Sequence, residues 1–308
     1  MAAPNFTENG QQKTIQDLLC SPDLSAGLHG HLTFLSVFNS FLSINAFLGN
    51  TLILIALHKG ESSLHPPSKL LLRSLATSDI SVGLIAEPLA VTFFMSVVKE
   101  NWSLCRYALV ASLITSKIFC GASIATLTAI SVDRLLALML GLRYRQVVTL
   151  KRTYVVAITL WFLQAVFSTM YFWNFLIAFL CGIIFLSLCL IISIFSYTKI
   201  FFTLRQHQNK VQHNQTNQLN IVRYKKALSS AIWLQLTLVA CHLPYVVLKA
   251  LQAKSGLSSY LFHAWIYTAT LVFLNSSLNP ILYCWKLDEV RQAVKGTIRQ
   301  VLCLCFSS

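Results

Sequence analysis

The stretch between Arg152 and Lys199 carries no charged residue and consists mostly of apolar side chains. A helix needs about 20 apolar residues to cross a bilayer, so this stretch is long enough for two crossings joined by a turn near Trp173-Asn174. The rest of the chain agrees, because 56% of its residues are hydrophobic and only 11% are charged. This composition is typical of a polytopic membrane protein, and 308 residues leave room for seven spans with short loops.

The basic residues predict how the chain lies across the membrane. Most of its 24 Lys and Arg residues fall in alternate loops and in the tail after the last apolar segment. By the positive-inside rule these segments are cytoplasmic and the N-terminus is outside. We therefore expect the net charge of +14 to face a lipid bilayer and no nucleic acid. Residues 1–31 lack the pattern of a signal peptide, so the first span is expected to target the chain to the membrane.

The apolar segments predict the fold class, an all-α membrane protein. A seven-transmembrane helix bundle is expected over residues 31–285, between an extracellular segment, 1–30, and a cytoplasmic tail, 286–308. Residues 286–302 are basic and amphipathic, which predicts a C-terminal helix lying along the inner leaflet. The loop at 203–220 is rich in Gln, Asn and His and is expected to be mobile. The spans are predicted at about 31–58, 68–98, 105–138, two within 153–200, one that begins near 223–226, and 260–285.

The last apolar segment contains NSSLNPILY, from Asn275 to Tyr283. Pro280 lacks the N–H that a helix would use, so it frees a carbonyl one turn back and kinks the helix. Asn275 and Asn279 need polar partners that lipid cannot supply. Those partners must come from neighbouring helices, so we expect this segment to face the interior of a bundle.

A carboxylate is predicted near the middle of the bilayer. Asp79 ends the sequence LATSD in the second span, about 15 Å from the cytoplasmic end of that helix. A charge at this depth costs about 3 kcal/mol or more unless it faces a polar interior. Asp79 is therefore a candidate functional residue.

Four of the nine cysteines are candidates for covalent chemistry. Cys20 and Cys105 are the only two predicted to face the oxidising exterior, so a disulfide between them is a hypothesis. Cys303 and Cys305 follow the amphipathic tail and are candidate palmitoylation sites.

Three glycosylation acceptor patterns occur outside the predicted spans. Asn5 and Asn101 lie on the predicted outer side and are the candidate sites. Asn214 falls on the predicted cytoplasmic side, which shows that the pattern also arises by chance.

Seven motifs occur in order, each on its own predicted span. They are Gly49-Asn50, Asp79, Asp133-Arg134, Trp161, Tyr197, Pro244 and the segment from Asn275 to Tyr283. With this order and spacing, the chain resembles the rhodopsin-like (class A) G-protein-coupled receptors over about residues 33–302. The resemblance implies a receptor of the plasma membrane, not an enzyme, that binds an extracellular ligand and activates a heterotrimeric G protein.

The resemblance implies a buried sodium site. The matching residues are Asp79, Ser123, Asn275 and Asn279, whose hard oxygen ligands would hold Na⁺ as an allosteric ion and favour the inactive state. Ser123 precedes Arg134 by about 16 Å of helix, which puts it at the depth of Asp79. A hydrogen-bonded polar core without an ion is the alternative.

The resemblance also implies an activation switch near the cytoplasmic end. An outward swing of the sixth helix would open a cleft in which Arg134 and two tyrosines rearrange to admit a G-protein α-subunit. The chain departs from the family at Leu135, where an aromatic residue is usual, and at Tyr224, where an acidic partner often stands. The residues assigned to the switch are Asp133, Arg134, Tyr197, His242, Pro244, Pro280 and Tyr283.

His242 is a third departure, because the family usually has Trp at this position before the helix-6 Pro. A buried His near Asp79 would titrate with pH. The alternative is a neutral packing residue with one hydrogen bond.

The outer loops point to one branch of the family. The usual disulfide has no counterpart, because Leu109 stands at its expected position on the third span and the second outer loop is almost absent. Residues 142–152, LRYRQVVTLKR, and the lack of Pro in the fifth span add to this pattern. The combination looks most like the melanocortin, cannabinoid and lysophospholipid receptors, with the melanocortin type nearest.

The space between the outer halves of the helices is the expected ligand site. Ser116 stands where aminergic receptors have Asp, which disfavours a biogenic amine. Phe273 stands where opsins have the retinal-linking Lys, which disfavours retinal.

Two cations are predicted in this outer half, Lys117 and Lys249. They would receive a carboxylate or a phosphate, and Glu87 would contribute a second charge for a zwitterion or a peptide. Alternatively, Lys117 extends outward to the interface or pairs with Glu87. His263 and Tyr267 are expected to line the same mouth.

Two other classes of protein are alternatives. A transporter or channel would show paired halves and a polar pathway that reaches both faces. A membrane hydrolase would show paired Asp residues, a His cluster or a Gly-flanked Ser on adjacent spans. The sequence shows neither pattern, which favours the receptor.

Overall fold

The computed structural model describes residues 7–8, 11–12, 15–22, 27–59, 65–211, 218–256, 258–286, 291–292 and 294–296. Nearly all of them are helical, which confirms the all-helical prediction. Among these residues the only strands are β1, Thr7–Glu8, and β2, Gln11–Gln12, which pair antiparallel.

Ten α-helices follow one another along the described chain, and several are joined by very short connections. A π-helical turn, Val82–Ala86, joins the third helix to the fourth, and a 3-10 turn, Gly141–Arg143, joins the fifth to the sixth. The helices are α1 Ile15–Leu19, α2 His29–Lys59, α3 Pro66–Ser81, α4 Glu87–Val98, α5 Trp102–Leu140, α6 Tyr144–Val147, α7 Leu150–Trp173, α8 Phe175–Val211, α9 Gln218–Ser255 and α10 Ser259–Lys286.

Six helical segments within the described residues are long and apolar enough to cross a membrane. They correspond to α2, to α3 with α4, to α5 with α6, to α7, to α8 and to the second half of α9. The seventh predicted span is α10, whose 28 residues are also long enough. Its Asn and Ser residues lower its hydropathy below that of the other six. The predicted C-terminal amphipathic helix falls mostly outside the described residues.

The polar loop predicted at 203–220 is largely helical instead. Helix α8 continues to Val211, and α9 already begins at Gln218. Polar composition alone does not end a helix, and this stretch contains neither Gly nor Pro. The turn predicted near Trp173-Asn174 is observed, because Asn174 alone separates α7 from α8 and its Oδ1 accepts a hydrogen bond from Ile177 N at 3.1 Å.

The seven spanning segments form a closed bundle. Helix α5 runs through its centre and contacts α3, α4, α7 and α8, while α10 packs between α2 and α9. Two glycines allow close approach. A Cβ on Gly49 would lie 2.9 Å from Pro280 Cγ, and one on Gly83 would lie 2.7 Å from the backbone oxygen of Ser43.

Two apolar clusters fill the ends of the bundle, and buried polar side chains lie between them. The outer cluster includes Leu28, Phe93 and Phe262, and the inner cluster includes Leu75 and Leu238. The polar layer contains carboxylate, amide and hydroxyl groups that are shielded from lipid. Its buried members include Asn39, Asn50, Asp79, Glu87, Ser123, Asn275, Ser276, Ser277 and Asn279.

Candidate functional site

Asp79 is fully buried at the centre of the polar layer. Ser123 Oγ of α5 donates a hydrogen bond to Asp79 Oδ1 at 2.8 Å, and Asn279 Nδ2 of α10 donates one to Oδ2 at 2.7 Å. Each carboxylate oxygen therefore has a donor from a different helix, which offsets part of the cost of removing the charge from water.

Asn275 is also buried, one turn before Asn279 on the same helix. The group offers a carboxylate, a hydroxyl and two amide carbonyls, which are hard oxygen donors of the kind that alkali and alkaline-earth cations accept. Of the four residues assigned to the sodium site, Ser123 and Asn279 are each hydrogen-bonded to Asp79. The donor set fits a small hard cation.

The kink at Pro280 has a specific partner on α2. Pro280 has no N–H to donate to the carbonyl of Ser276, one turn earlier. Asn50 Nδ2 donates to that carbonyl at 3.0 Å, and also to Ala46 O at 2.8 Å within its own helix. The freed carbonyl is thus satisfied by a side chain from a helix far away in sequence. The sequence showed that a partner was needed but did not identify it.

At the inner end, Asp133 is hydrogen-bonded to residues of other helices and not to its sequence neighbour Arg134. Asp133 accepts hydrogen bonds from Ser68 Oγ at 2.8 Å and from Tyr144 OH at 2.6 Å. Arg134 is half-buried and forms no ion pair with any described carboxylate. Sequence reasoning missed both Ser68 and Tyr144, because neither lies in one of the seven family motifs. Tyr144 does belong to the segment LRYRQVVTLKR.

The two switch tyrosines lie in separate apolar clusters. Tyr197 packs against Leu135 and Leu138, while Tyr283 joins the inner cluster with 1% of its surface exposed. The hydroxyl of Tyr283 has no hydrogen-bond partner among the described residues. A cavity of about 10 Å³ beside Tyr197 is also lined by Gln235 of α9.

His242 is buried in α9, two residues before Pro244. Its Nδ1 lies 3.0 Å from the carbonyl oxygen of Leu238 in the same helix, so this nitrogen carries a proton and donates it. The arrangement matches a packing histidine with one hydrogen bond.

Lys249 of α9 lies among three aromatic rings. Its Nζ is 4.9 Å from the ring centre of Trp265, 5.4 Å from that of Tyr245 and 5.3 Å from that of Phe179. It also donates to Gln252 Oε1 at 3.1 Å. Of these contact residues only Tyr245 is next to a residue that the sequence singled out, Pro244.

Lys117 of α5 points toward the α7–α8 side of the bundle. Its Nζ lies 5.7 Å from the ring centre of Tyr171 and 3.5 Å from the carbonyl oxygen of Ala178. It is near enough to Lys249 for the two charges to repel each other. Neither lysine forms an ion pair with a described carboxylate, so the alternative in which Lys117 pairs with Glu87 is not observed.

Several polar atoms in the outer half have no partner within the described part of the chain. Glu87 is fully buried, and both of its carboxylate oxygens are unpaired. The same holds for Ser116 Oγ and His263 Nε2. Unpaired buried polar groups are uncommon in folded proteins and often mark a place where a ligand or water binds.

The mouth of the bundle brings α2 and α10 together. His31 Nδ1 and Tyr267 OH are 2.6 Å apart, and the rings of His31 and His263 are 6.4 Å apart. His263 and Tyr267 were expected at this mouth, whereas the sequence offered no signal for His31.

The N-terminal segment is tied to the top of α5. Cys20 and Cys105 form a disulfide, and Arg106 pairs with Asp17 at 3.0 Å. Asn101 is exposed and caps α5, because its Oδ1 accepts from Leu104 N at 3.1 Å. A glycan would attach to the other side-chain atom, Nδ2. The remaining modification candidates, Asn5, Cys303 and Cys305, lie outside the described residues.

Comparison with known proteins identifies relatives of the whole bundle. A family model described as 7 transmembrane receptor (rhodopsin family) matches residues 49–175 and 168–283. The adenosine receptor A2b of Gallus gallus is 23% identical over 312 residues, covering 87% of this chain and 88% of that receptor. The adenosine receptor A3 of Canis lupus familiaris is 25% identical over 304 residues, covering 87% of this chain and 91% of that receptor.

Proposed function

The chain belongs to the rhodopsin family of seven-transmembrane receptors, the class A G-protein-coupled receptors, and on this premise we propose that its extracellular ligand is acidic or zwitterionic. Family membership makes the chain a multi-pass membrane receptor that signals through a heterotrimeric G protein, and not an enzyme. Family membership does not determine the class of ligand or the residues that bind it.

Lys117 and Lys249, which form no ion pair with any carboxylate among the described residues, carry the proposal. A charged side chain inside a membrane costs about 2.5–3.5 kcal/mol even by the lower scales. Each cation–π contact with an aromatic ring offsets about 0.5–2 kcal/mol of this cost, which stabilises Lys249 without neutralising its charge. A ligand carboxylate or phosphate between Lys117 and Lys249 would supply the missing anion and form charge-assisted hydrogen bonds.

Glu87 supports a second contact with the same ligand. Its carboxylate is buried and has no donor among the residues that the structure describes, so the amino group of a zwitterion or peptide would satisfy it. Ser116 and His263, in the same half of the bundle, each have a polar atom with no partner in the described part of the chain, and they complete the proposed contacts with Tyr267 at the mouth.

The names of the two relatives suggest a competing ligand, adenosine. Adenosine carries no negative charge and would leave Lys117 and Lys249 without a counter-ion. We therefore place an acidic ligand ahead of a neutral nucleoside.

The assignment to the melanocortin, cannabinoid and lysophospholipid branch is a separate proposal, supported by the single-residue connection at Asn174.

We further propose that the signal reaches the G protein by an outward movement of α9 about Pro244. Arg134, which has no ion pair among the described carboxylates, would enter the cleft with Tyr197 and Tyr283. Na⁺ held by Asp79, Ser123, Asn275 and Asn279 would favour the inactive packing.

The basic loops support a plasma-membrane topology with segment 1–30 outside, the receptor domain at 31–285 and the tail, 286–308, inside.

The test records cAMP in cells that express the chain, with a panel of acidic metabolites, phospholipids, peptides and adenosine. An acidic compound is expected to change cAMP, and Arg134→Ala is expected to abolish the change. Nucleotide release from purified G proteins of each subtype would then identify the coupling partner.

Charge variants identify the site. Lys249→Gln and Lys117→Gln are each expected to raise the half-maximal ligand concentration at least about tenfold, the value of one lost charged contact of about 1.4 kcal/mol. Lys254→Gln removes an exposed charge from the end of the same helix and serves as the control. A response to adenosine alone, equal in all three variants, would contradict the proposal.

A further inference from the structure

A cleft on the outside of the bundle lies between α2 and α3. It has a volume of about 420 Å³ and is lined by Leu54, Ile55 and His58 of α2 and by Arg73 of α3. Ile55 is 39% exposed and His58 is also exposed, so the cleft opens away from the bundle interior. Along α3, Arg73 lies about 9 Å from Asp79, on the side of the inner end of the bundle, where Asp133 also lies.

Arg73 is held at the base of this cleft by one backbone contact. Its Nη2 donates to the carbonyl oxygen of Leu57 at 2.9 Å. Its Nε is buried and has no acceptor among the described residues. A guanidinium has five N–H donors in a fixed planar arrangement, so this contact leaves most of them without a described partner.

The surroundings of Arg73 indicate what satisfies those donors. Of the residues that line the cleft, two are apolar and two are basic, and none is acidic. Arg73 lies near the predicted cytoplasmic end of the second span, where lipid phosphates lie, and guanidinium groups bind phosphate oxygens in pairs.

We propose that the cleft binds an anionic phospholipid, with its phosphate on Arg73 and His58 and an acyl chain along Leu54 and Ile55. A headgroup with a net negative charge matches two basic side chains better than the neutral, zwitterionic headgroup of phosphatidylcholine does. Anionic lipids are abundant in the cytoplasmic leaflet, which faces this end of the bundle in the proposed topology. The site lies far from Lys117 and Lys249 and does not depend on the identity of the extracellular ligand.

The experiment places the purified full-length receptor in nanodiscs that contain phosphatidylserine with a photoreactive diazirine in its acyl chain. Cross-linked peptides are mapped by mass spectrometry, and phosphatidylcholine with the same diazirine chain is the reference lipid. We expect phosphatidylserine to label the segment around Leu54 and Ile55 about fivefold more than phosphatidylcholine does, which corresponds to about 1 kcal/mol for one basic residue near anionic lipid.

Three variants make the result specific to the cleft. Arg73→Gln is expected to reduce labelling by phosphatidylserine to the level of phosphatidylcholine. Arg152→Gln is the matched control, because Arg152 is exposed and also donates to a backbone carbonyl, that of Val147 at 2.8 Å, but does not line the cleft. Ile55→Trp fills the cleft without changing charge and is expected to lower labelling as well, which tests the site independently of any effect of Arg73 on folding.

Two results would overturn the proposal. One is equal labelling by the two lipids in the unmodified receptor. The other is labelling that persists in both Arg73→Gln and Ile55→Trp at the level of Arg152→Gln.

Discussion

Two buried carboxylates on the second span have opposite environments. Asp79 receives hydrogen bonds from Ser123 and Asn279, whereas Glu87, about two turns further out, receives none from the described residues. A buried group that has its partners contributes to stability, while one without them costs about 1–3 kcal/mol. The same functional group, a buried carboxylate, therefore points to a structural and ion-binding role at Asp79 and to a ligand-binding role at Glu87.

Replacing Asp79 is expected to remove the effect of sodium on signalling. Basal nucleotide exchange of the unmodified receptor should be lower in NaCl than in KCl by about fivefold, the low end of typical coupling between two sites. In Asp79→Asn the two salts should give equal rates, because the amide cannot neutralise the cation.

Glu87→Gln is the matched control, since it makes the same charge change at a second buried carboxylate. It is expected to retain the difference between salts. Equal rates in NaCl and KCl for the unmodified receptor would show that the polar core holds no sodium.

Replacing Glu87 by an apolar residue of similar size is expected to stabilise the ligand-free receptor. Glu87→Met removes two unpaired buried oxygens, and a gain of 1 kcal/mol raises Tm by about 2–4 °C in a chain of comparable size. The measurement is the temperature at which the receptor in detergent loses monodispersity.

Asp79→Leu provides the opposite case in the same assay, because it leaves the donors of Ser123 and Asn279 unpaired. Its Tm is expected to fall. A lower Tm for Glu87→Met as well would mean that Glu87 has a partner outside the described residues.

The second span is not a continuous α-helix. Pro88 lacks the N–H that would reach back one turn, and the π-helical turn Val82–Ala86 lies immediately before it. Ser43 Oγ of α2 donates to the carbonyl of Gly83 in this turn at 2.6 Å. The wide turn and the missing side chain of Gly83 together let α2 approach closely.

Gly83→Ala is expected to destabilise the receptor by about 1–3 kcal/mol, because overpacking forces backbones apart. The new Cβ would lie 2.7 Å from Ser43 O and 2.8 Å from Phe47 N, and neither backbone atom can rotate away. Thermal stability in detergent and surface expression are the measurements.

Gly182→Ala is the matched control within α8, because a Cβ there would meet no atom within 4 Å. It is expected to leave Tm unchanged or to raise it slightly, since Ala favours a helix over Gly by about 1 kcal/mol. Equal losses in the two variants would contradict the packing explanation.

The whole bundle is organised around α5, which contacts α3, α4, α7 and α8 and contributes a residue to the ligand site, to the central ion site and to the inner end. Lys117 belongs to the outer site, Ser123 to the central one and Arg134 to the inner end. Among the described carboxylates, none forms an ion pair with Arg134, so no ion pair of this kind opposes an outward movement of α9. The receptor is therefore expected to show basal activity.

An acidic residue at the base of α9 is expected to lower that activity. Tyr224→Glu places a carboxylate where the family often has one, and a pair of this type contributes up to about 1 kcal/mol, or about a fivefold decrease in basal nucleotide exchange. Tyr224→Gln is the neutral control and should exchange at the unmodified rate. If the Glu and Gln variants behave alike, an ion pair does not control the inner end.

Much of the helical framework was predictable from local sequence patterns. The uncharged run after Arg152 predicted two spans and the turn at Asn174, and polar groups within apolar segments predicted a shared interior. The extension of α8 and α9 into the polar stretch was not predicted, because polar residues without Gly or Pro permit either a loop or a helix. Contacts between helices decide the choice.

The sequence by itself determined which segments enter the membrane and which residues must find partners there, because hydropathy and hydrogen-bonding need are properties of each residue. Only the tertiary structure decided the partners. It paired Asn50 with the carbonyl freed by Pro280, bonded Asp133 to Tyr144 instead of Arg134, and left Glu87 without a donor among the described residues. These outcomes depend on how helices distant in sequence rotate and pack against one another, and no pattern along a single helix specifies that geometry.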